Sequence, residues 1–96
     1  MGFSKRFELD VNGNEVEFLV FMEEEENDIL INQMVGYEDV QILSSVRITK
    51  LKMDSNGNDI ESEMGMTIYD MITDMEEKTA RKYTTHLINK YLNGEI

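Results

Sequence analysis

One compact core is all that 96 residues can build, and 9 Lys and Arg against 20 Asp and Glu leave it at −11, the wrong sign for holding a phosphate backbone directly. The absence of cysteine excludes disulfides, thiolate catalysis and cysteine zinc sites. No apolar run approaches the ~20 residues of a membrane span and no N-terminal stretch has the parts of a signal peptide, so the expectation is a single α+β domain over residues 1–96, cytoplasmic and without a membrane partner.

Met1 to Ser4 reads as a short lead-in. Lys5 to Val11 then alternates, with Phe7, Leu9 and Val11 on one side. Asn12-Gly13 supplies the two positive-φ residues of a type I′ turn, and Glu15 to Met22 alternates again through Val16, Phe18, Val20 and Met22. With that two-residue loop Leu9 faces Val16 and Phe7 faces Phe18, which makes an apolar face. On the other face Asp10 meets Glu15 and Glu8 meets Glu17. Like charges directly opposite are destabilising, so a partner, a cation or solvent screening has to relieve them.

Glu23 to Val35 is predicted as the first helix. Its acidic first turn suits the positive end of a helix, Ile29, Leu30 and Met34 give a stripe, and Gly36 stands ready as the terminating residue. Tyr37 to Ser45 reads as a short strand or a buried connection through Val40, Ile42 and Leu43. Val46 to Ile68 is predicted as a second hairpin folded about Asn56-Gly57. Met53 then faces Ile60 and Thr49 faces Met64, while Lys52 falls opposite Glu61 and Lys50 opposite Glu63. Phe7-x-Leu9-x-x-Asn12-Gly13-Asn14-Glu15-Val16-Glu17 parallels Leu51-x-Met53-x-x-Asn56-Gly57-Asn58-Asp59-Ile60-Glu61. The expected order is therefore ββα-ββα, two antiparallel hairpins forming a small sheet, each followed by a helix.

After Ile68 the period becomes helical. Ile68, Met71, Ile72 and Met75 share one face, and Ala80, Tyr83, Leu87 and Tyr91 share another. The two faces diverge, which predicts a bend or break near residues 73–78, with Asp74 and Glu77 as a capping box restarting the helix. Gly94 ends it, and Lys90 suits its negative end.

Asp54-Ser55-Asn56-Gly57-Asn58 places oxygen-bearing side chains at the first, third and fifth positions of a calcium loop. Such a loop needs glycine at its sixth position and glutamate at its twelfth, where this chain has Asp59 and Gly65, so a turn explains the segment better. His86 is the only histidine and has no acid three or four residues away. No serine sits in a nucleophile elbow and no glycine-rich phosphate loop is present, so the expectation is no enzyme, no cofactor and no metal site.

Charge distribution carries the functional reading. Between Phe7 and Val46 there are eleven acids and no Lys or Arg, whereas the remainder holds nine of each sign. Such segregation can steer and hold a basic partner. The candidate partner-binding residues are Glu8, Asp10, Glu15, Glu17, Glu23, Glu24, Glu25, Glu26 and Asp28, set against the alternative that they only solubilise the chain. In its sharper form the chain is an inhibitor of a nucleic-acid-binding protein, with carboxylates standing in for phosphates. Met64, Met66, Met71 and Met75 offer a different surface, apolar and adaptable, for self-association or a partner.

Phe7 to Gly36, with Phe-Glu-Leu-Asp-Val-Asn-Gly, then Glu17-Phe18, a run of acids and Ile31-Asn32-Gln33-Met34, resembles the N-terminal part of small phage tail-assembly chaperones. The resemblance covers about a third of the chain and stops before Val40. It implies a viral or mobile-element accessory protein without a catalytic role, binding aggregation-prone tail components through an apolar surface.

Overall fold

The computed structural model describes residues 3–96, so the first two residues of the expected lead-in lie outside it, and from Phe3 the chain is already strand. Four strands come first, β1 (Phe3–Val11), β2 (Asn14–Glu24), β3 (Asp28–Tyr37) and β4 (Val40–Thr49). They are followed by α1 (Glu61–Thr73) and α2 (Glu77–Leu92). The sheet is an antiparallel meander in the order β1-β2-β3-β4. The fold is α+β as expected, but the ββα-ββα order is not found: both helices follow all four strands.

The first hairpin has the register expected of a two-residue loop. Asn12 at φ 55° and Gly13 at φ 83° make the turn, and Phe7 pairs with Phe18, Leu9 with Val16, Glu8 with Glu17 and Asp10 with Glu15. Turn chemistry and alternation agree here, and a slip by one residue would expose the whole apolar set.

Glu23 to Val35 is not a helix. Glu23 and Glu24 end β2, residues 25–27 turn the chain, with the Glu25 N–H donating to the Asp28 carbonyl at 2.8 Å, and β3 follows. Ile29, Ile31 and Val35 point into the core while Leu30, Asn32 and Met34 point away, a period of two. The apolar run Ile29-Leu30-Ile31 fits either period, and the β-branched content together with the open pairing edge of β2 decides for strand. Gly36 accordingly terminates nothing; it pairs with Glu17 on one side and Gln41 on the other. Residues 38–39 turn the chain with Glu38 at φ 53°, and Tyr37 to Ser45 becomes the end of β3 and half of β4.

The second hairpin is also absent. Val46 pairs with Ile31 and Thr49 with Asp28 inside β4, so neither is free to face residues after Asn56. Asn56-Gly57 still turns, but as a local loop closed by Asp54. Its Oδ1 accepts the Asn56 and Asn58 N–H groups at 2.8 and 2.9 Å, and its Oδ2 accepts the Asn58 amide at 3.1 Å. A single bridge, Met53 to Asp59, is all the ladder that forms. From Glu61 the chain is helical because Met64, Ile68 and Ile72 recur at helical spacing and bury. Lys50 finds carboxylates other than the expected Glu63: its Nζ stands 3.4 Å from Glu61 and 3.8 Å from Glu24 and is nearly enclosed, tying the start of α1 to the end of β2.

Both helices lie on one face of the sheet. Leu9, Val16, Phe18, Val20, Ile29, Val35 and Ile42 meet Ile68, Ile72, Ala80, Leu87 and Ile88 there in one core. The break between the helices falls at the expected place, after Thr73. Its cap is different: Glu76 occupies the N-cap with no side-chain capping bond, so the Asp74-Glu77 box does not form. Lys5 supplies what the box does not, donating from Nζ to the carbonyls of Thr73 at 2.6 Å and Met75 at 3.0 Å, a cation on the negative end of α1. Of the residues assigned to the two helical faces, Met71 and Tyr83 are exposed instead. Gly94, at φ 74°, ends α2 in a Schellman motif, its N–H on the Tyr91 carbonyl and that of Glu95 on the Lys90 carbonyl. Among the described residues no helix is long and apolar enough to cross a membrane.

Candidate partner-binding face

Because side chains alternate along a strand, the helices cover only half of each. The opposite, outer face carries Arg6, Glu8 and Asp10 from β1, and Glu15, Glu17, Leu19, Phe21 and Glu23 from β2. From β3 come Asp28, Leu30, Asn32, Met34 and Gly36, and from β4 Gln41, Leu43, Ser45 and Arg47. The pairing arranges these in rows. Arg6, Leu19, Met34 and Leu43 form one, and beside it run Phe21, Asn32 and Ser45, then Glu23, Leu30 and Arg47. The middle of the face is thus apolar, with Leu43 64% exposed and Leu19, Phe21, Leu30 and Met34 half-buried. Ser45 Oγ donates to Asn32 Oδ1 at 2.6 Å, and Asn32 Nδ2 has no hydrogen-bond partner among the described residues.

The nine acids chosen from the sequence fall into two groups at opposite ends of this face. Glu8, Asp10, Glu15 and Glu17 lie by the β1–β2 turn, and Glu23, Glu24, Glu25, Glu26 and Asp28 lie by the β2–β3 turn. Glu15 and Glu23, eight residues apart on one strand, are separated by about 26 Å. Glu24 leaves the face altogether, turning under α1 towards Lys50, where Gly65 makes room for its carboxylate: a Cβ there would stand 2.9 Å from Glu24 Oε1.

The chain's own bases take up part of the charge. Arg6 Nη2 lies 3.3 Å from Glu8 and 3.1 Å from Glu17, and Arg47 Nη1 lies 2.7 Å from Asp28 and 3.0 Å from Glu25. Hydrogen bonds to Asp28 and Glu25 hold the Arg47 guanidinium above its ordinary pKa, so it is a fixed cation. Asp10, Glu15, Glu23 and Glu26 have no ion-pair partner among the described residues. Glu8, Glu15, Glu17 and Glu38 surround a cleft of about 330 Å³ over Gly36, whose missing side chain gives it depth.

The apolar centre was missed in the sequence, though a sign of it was there. Phe18-Leu19-Val20-Phe21-Met22 is continuously apolar, as a strand is when both its faces meet something apolar. The four clustered methionines do not share one surface. Met71 and Met75 line a groove of about 450 Å³ between the helices and the Val46 side of the sheet, Met66 borders a cleft by Glu24, and Met64 borders another by Ile60. Among the described residues no three His, Cys, Asp or Glu side chains are grouped to hold a metal ion. His86 is exposed on α2 and the Asp54 carboxylate is occupied within its own turn. Comparisons with protein-family models, curated proteins and solved structures find no match.

Proposed function

We propose that this chain is a non-enzymatic protein-binding protein that docks a basic partner on the outer face of its sheet, as an accessory or inhibitory protein does. The observation that carries the reading is the arrangement of that face, an apolar centre from Leu19, Met34 and Leu43 with carboxylates at both ends. A buried apolar centre inside a polar rim is the anatomy of a protein interface. Glu8, Asp10, Glu15, Glu17, Glu23 and Asp28 against Arg6 and Arg47 leave the face net negative, which selects a basic partner and speeds its approach. Two carboxylate groups separated by a strand's length suit a surface made to hold phosphates, so a nucleic-acid-binding protein is the partner class this reading favours.

The test is capture of a partner on immobilised protein, comparing wild type with Met34→Lys/Leu43→Lys, Glu15→Lys/Glu17→Lys and, as a control on α1, Met66→Gln. Both outer-face variants should lose the partner, the control should keep it, and binding should weaken steeply with salt. Capture that is indifferent to both outer-face variants sinks the proposal.

A second reading, an assembly chaperone working through an apolar methionine surface, is favoured by the groove that Val46, Met71, Met75 and Tyr83 line. It predicts binding that persists or strengthens with salt and is lost on Met71→Lys.

A further inference from the structure

The two edges of the sheet are protected very differently. β1 carries Lys5, Arg6, Glu8 and Asp10 in nine residues, both helices pack against it, and Arg81 donates to the Asp10 carbonyl. Charges and cover of this kind are how an edge avoids pairing with another strand. β4 has neither in the same measure: in ten residues without proline or glycine it holds one charge, Arg47, and most of its side chains are exposed. Leu43 is 64% exposed on the outer face and Val46 50% exposed on the inner face, so apolar surface flanks the edge on both sides.

Charge along this edge identifies what pairs with it. Immediately before β4 stand Glu38 and Asp39, and near and beyond its end stand Arg47, Lys50 and Lys52, with no acid anywhere from Val40 to Met53. Glu38, Asp39 and Lys52 have no ion-pair partner among the described residues. Arg47 and Lys50 are already taken up by Glu25, Asp28, Glu24 and Glu61, so the free charges are Glu38 and Asp39 before the strand and Lys52 beyond it, and these meet only when the second copy runs antiparallel. We infer that β4 pairs with β4 of a second copy about a two-fold axis at Ser45, giving a continuous eight-stranded sheet. Each copy's Glu38-Asp39 turn then lies beside the other's Lys52 end. The strongly negative β1–β2 turns stay at the far edges of the dimer, where the net charge of −11 per chain repels least. The two outer faces fall on the same side of the joined sheet. This inference concerns the edge and stands independently of the partner reading.

Light scattering on the purified full chain across a concentration series should give twice the chain mass, moving to the single mass on dilution. Leu43→Lys/Val46→Lys should be monomeric with an unchanged circular dichroism spectrum, since both positions are exposed. Glu38→Lys alone should shift the equilibrium towards monomer, and Glu38→Lys with Lys52→Glu should restore the dimer, which a merely destabilising effect would not do. β4 amides should exchange more slowly at high concentration than at low. A wild-type chain that stays monomeric throughout, or a dimer that survives Leu43→Lys/Val46→Lys, overturns the inference; failure of the charge swap to restore the dimer overturns its antiparallel two-fold.

Discussion

Glu8 and Glu17 face one another directly across the β1–β2 ladder, and the Arg6 guanidinium bridges them at 3.3 and 3.1 Å. The repulsion in that row is therefore relieved from within the chain, by a base from the next outward row on the same strand. The neighbouring row, Asp10 and Glu15, has no such bridge among the described residues; Asp10 Oδ1 accepts the Gly13 N–H at 3.0 Å. Glu15→Lys should stabilise the free protein by a few tenths to about 1 kcal/mol by making an opposite-charge pair. Glu8→Lys should gain less, because it sets a second cation beside Arg6. Urea melts of the two variants compare them, and equal gains would mean that Arg6 bridges nothing in solution.

Lys5, on the β1 edge against which α1 packs, reaches the end of that helix and donates to the Thr73 and Met75 carbonyls. Lys5→Met keeps most of the stem and removes the donor. It should cost about 1 kcal/mol and speed amide exchange in the last turn of α1. An α1 end whose exchange does not change would show those carbonyls to be satisfied otherwise.

The Asp54 carboxyl is held below the usual aspartate range, first by the Asn58 backbone N–H, then by the Asn58 side chain, then by the Asn56 N–H. Its folded pKa lies below the unfolded value of about 3.9, so the stability it contributes is fully present above that pH and disappears as pH falls through the lower folded value. The carboxyl carbon shift of Asp54 should titrate with a midpoint below ~3.9, and Asp54→Asn should remove this part of the acid limb. A midpoint at or above the ordinary value would contradict the turn geometry.

Leucine and phenylalanine on the two faces of the sheet should behave oppositely. Phe18 is fully buried under the helices, and Phe18→Ala should cost about 3–5 kcal/mol. Leu43 lies open on the outer face, and Leu43→Ala should stay within about 0.5 kcal/mol in the monomer. Chemical denaturation at low protein concentration measures both, and a large cost at Leu43 would mean that something covers the outer face in the free chain.

The α+β class, the first hairpin and the helix break were readable because each is decided by residues close together in the chain. Asn12-Gly13 matched the alternation around it, and the divergence of apolar faces marked the break at residues 73–78 even though the Asp74-Glu77 box expected with it does not form. Glu23 to Val35 and Val46 to Ile68 misled although several signals agreed in each, because all of those signals were local while β3 and β4 are decided by pairing with strands distant in the chain. Glutamates before an apolar run resemble a helix start, yet Ile29, Ile31 and Val35 bury with a period of two once β2 offers an edge. Asn56-Gly57 does turn, but Asp54 closes that turn within five residues, so no ladder has to follow it. For the candidate face, the acids were legible as a charge count and their division between two ends was not, because it depends on β3 being a strand. The apolar centre stayed hidden for the same reason: Leu30 and Met34 join Leu19 on one surface only in the sheet, never on a helix.

Carboxylate footprinting with a water-soluble carbodiimide, applied to the free chain and to its complex with the captured partner, reads the docking face residue by residue. Docking on the outer face should make Glu8, Asp10, Glu15, Glu17 and Glu23 lose reactivity on binding while Glu63, Glu77 and Glu95 keep theirs. Protection of Asp74 and Glu76, which border the groove between the helices, with the outer-face acids still reactive, would contradict it.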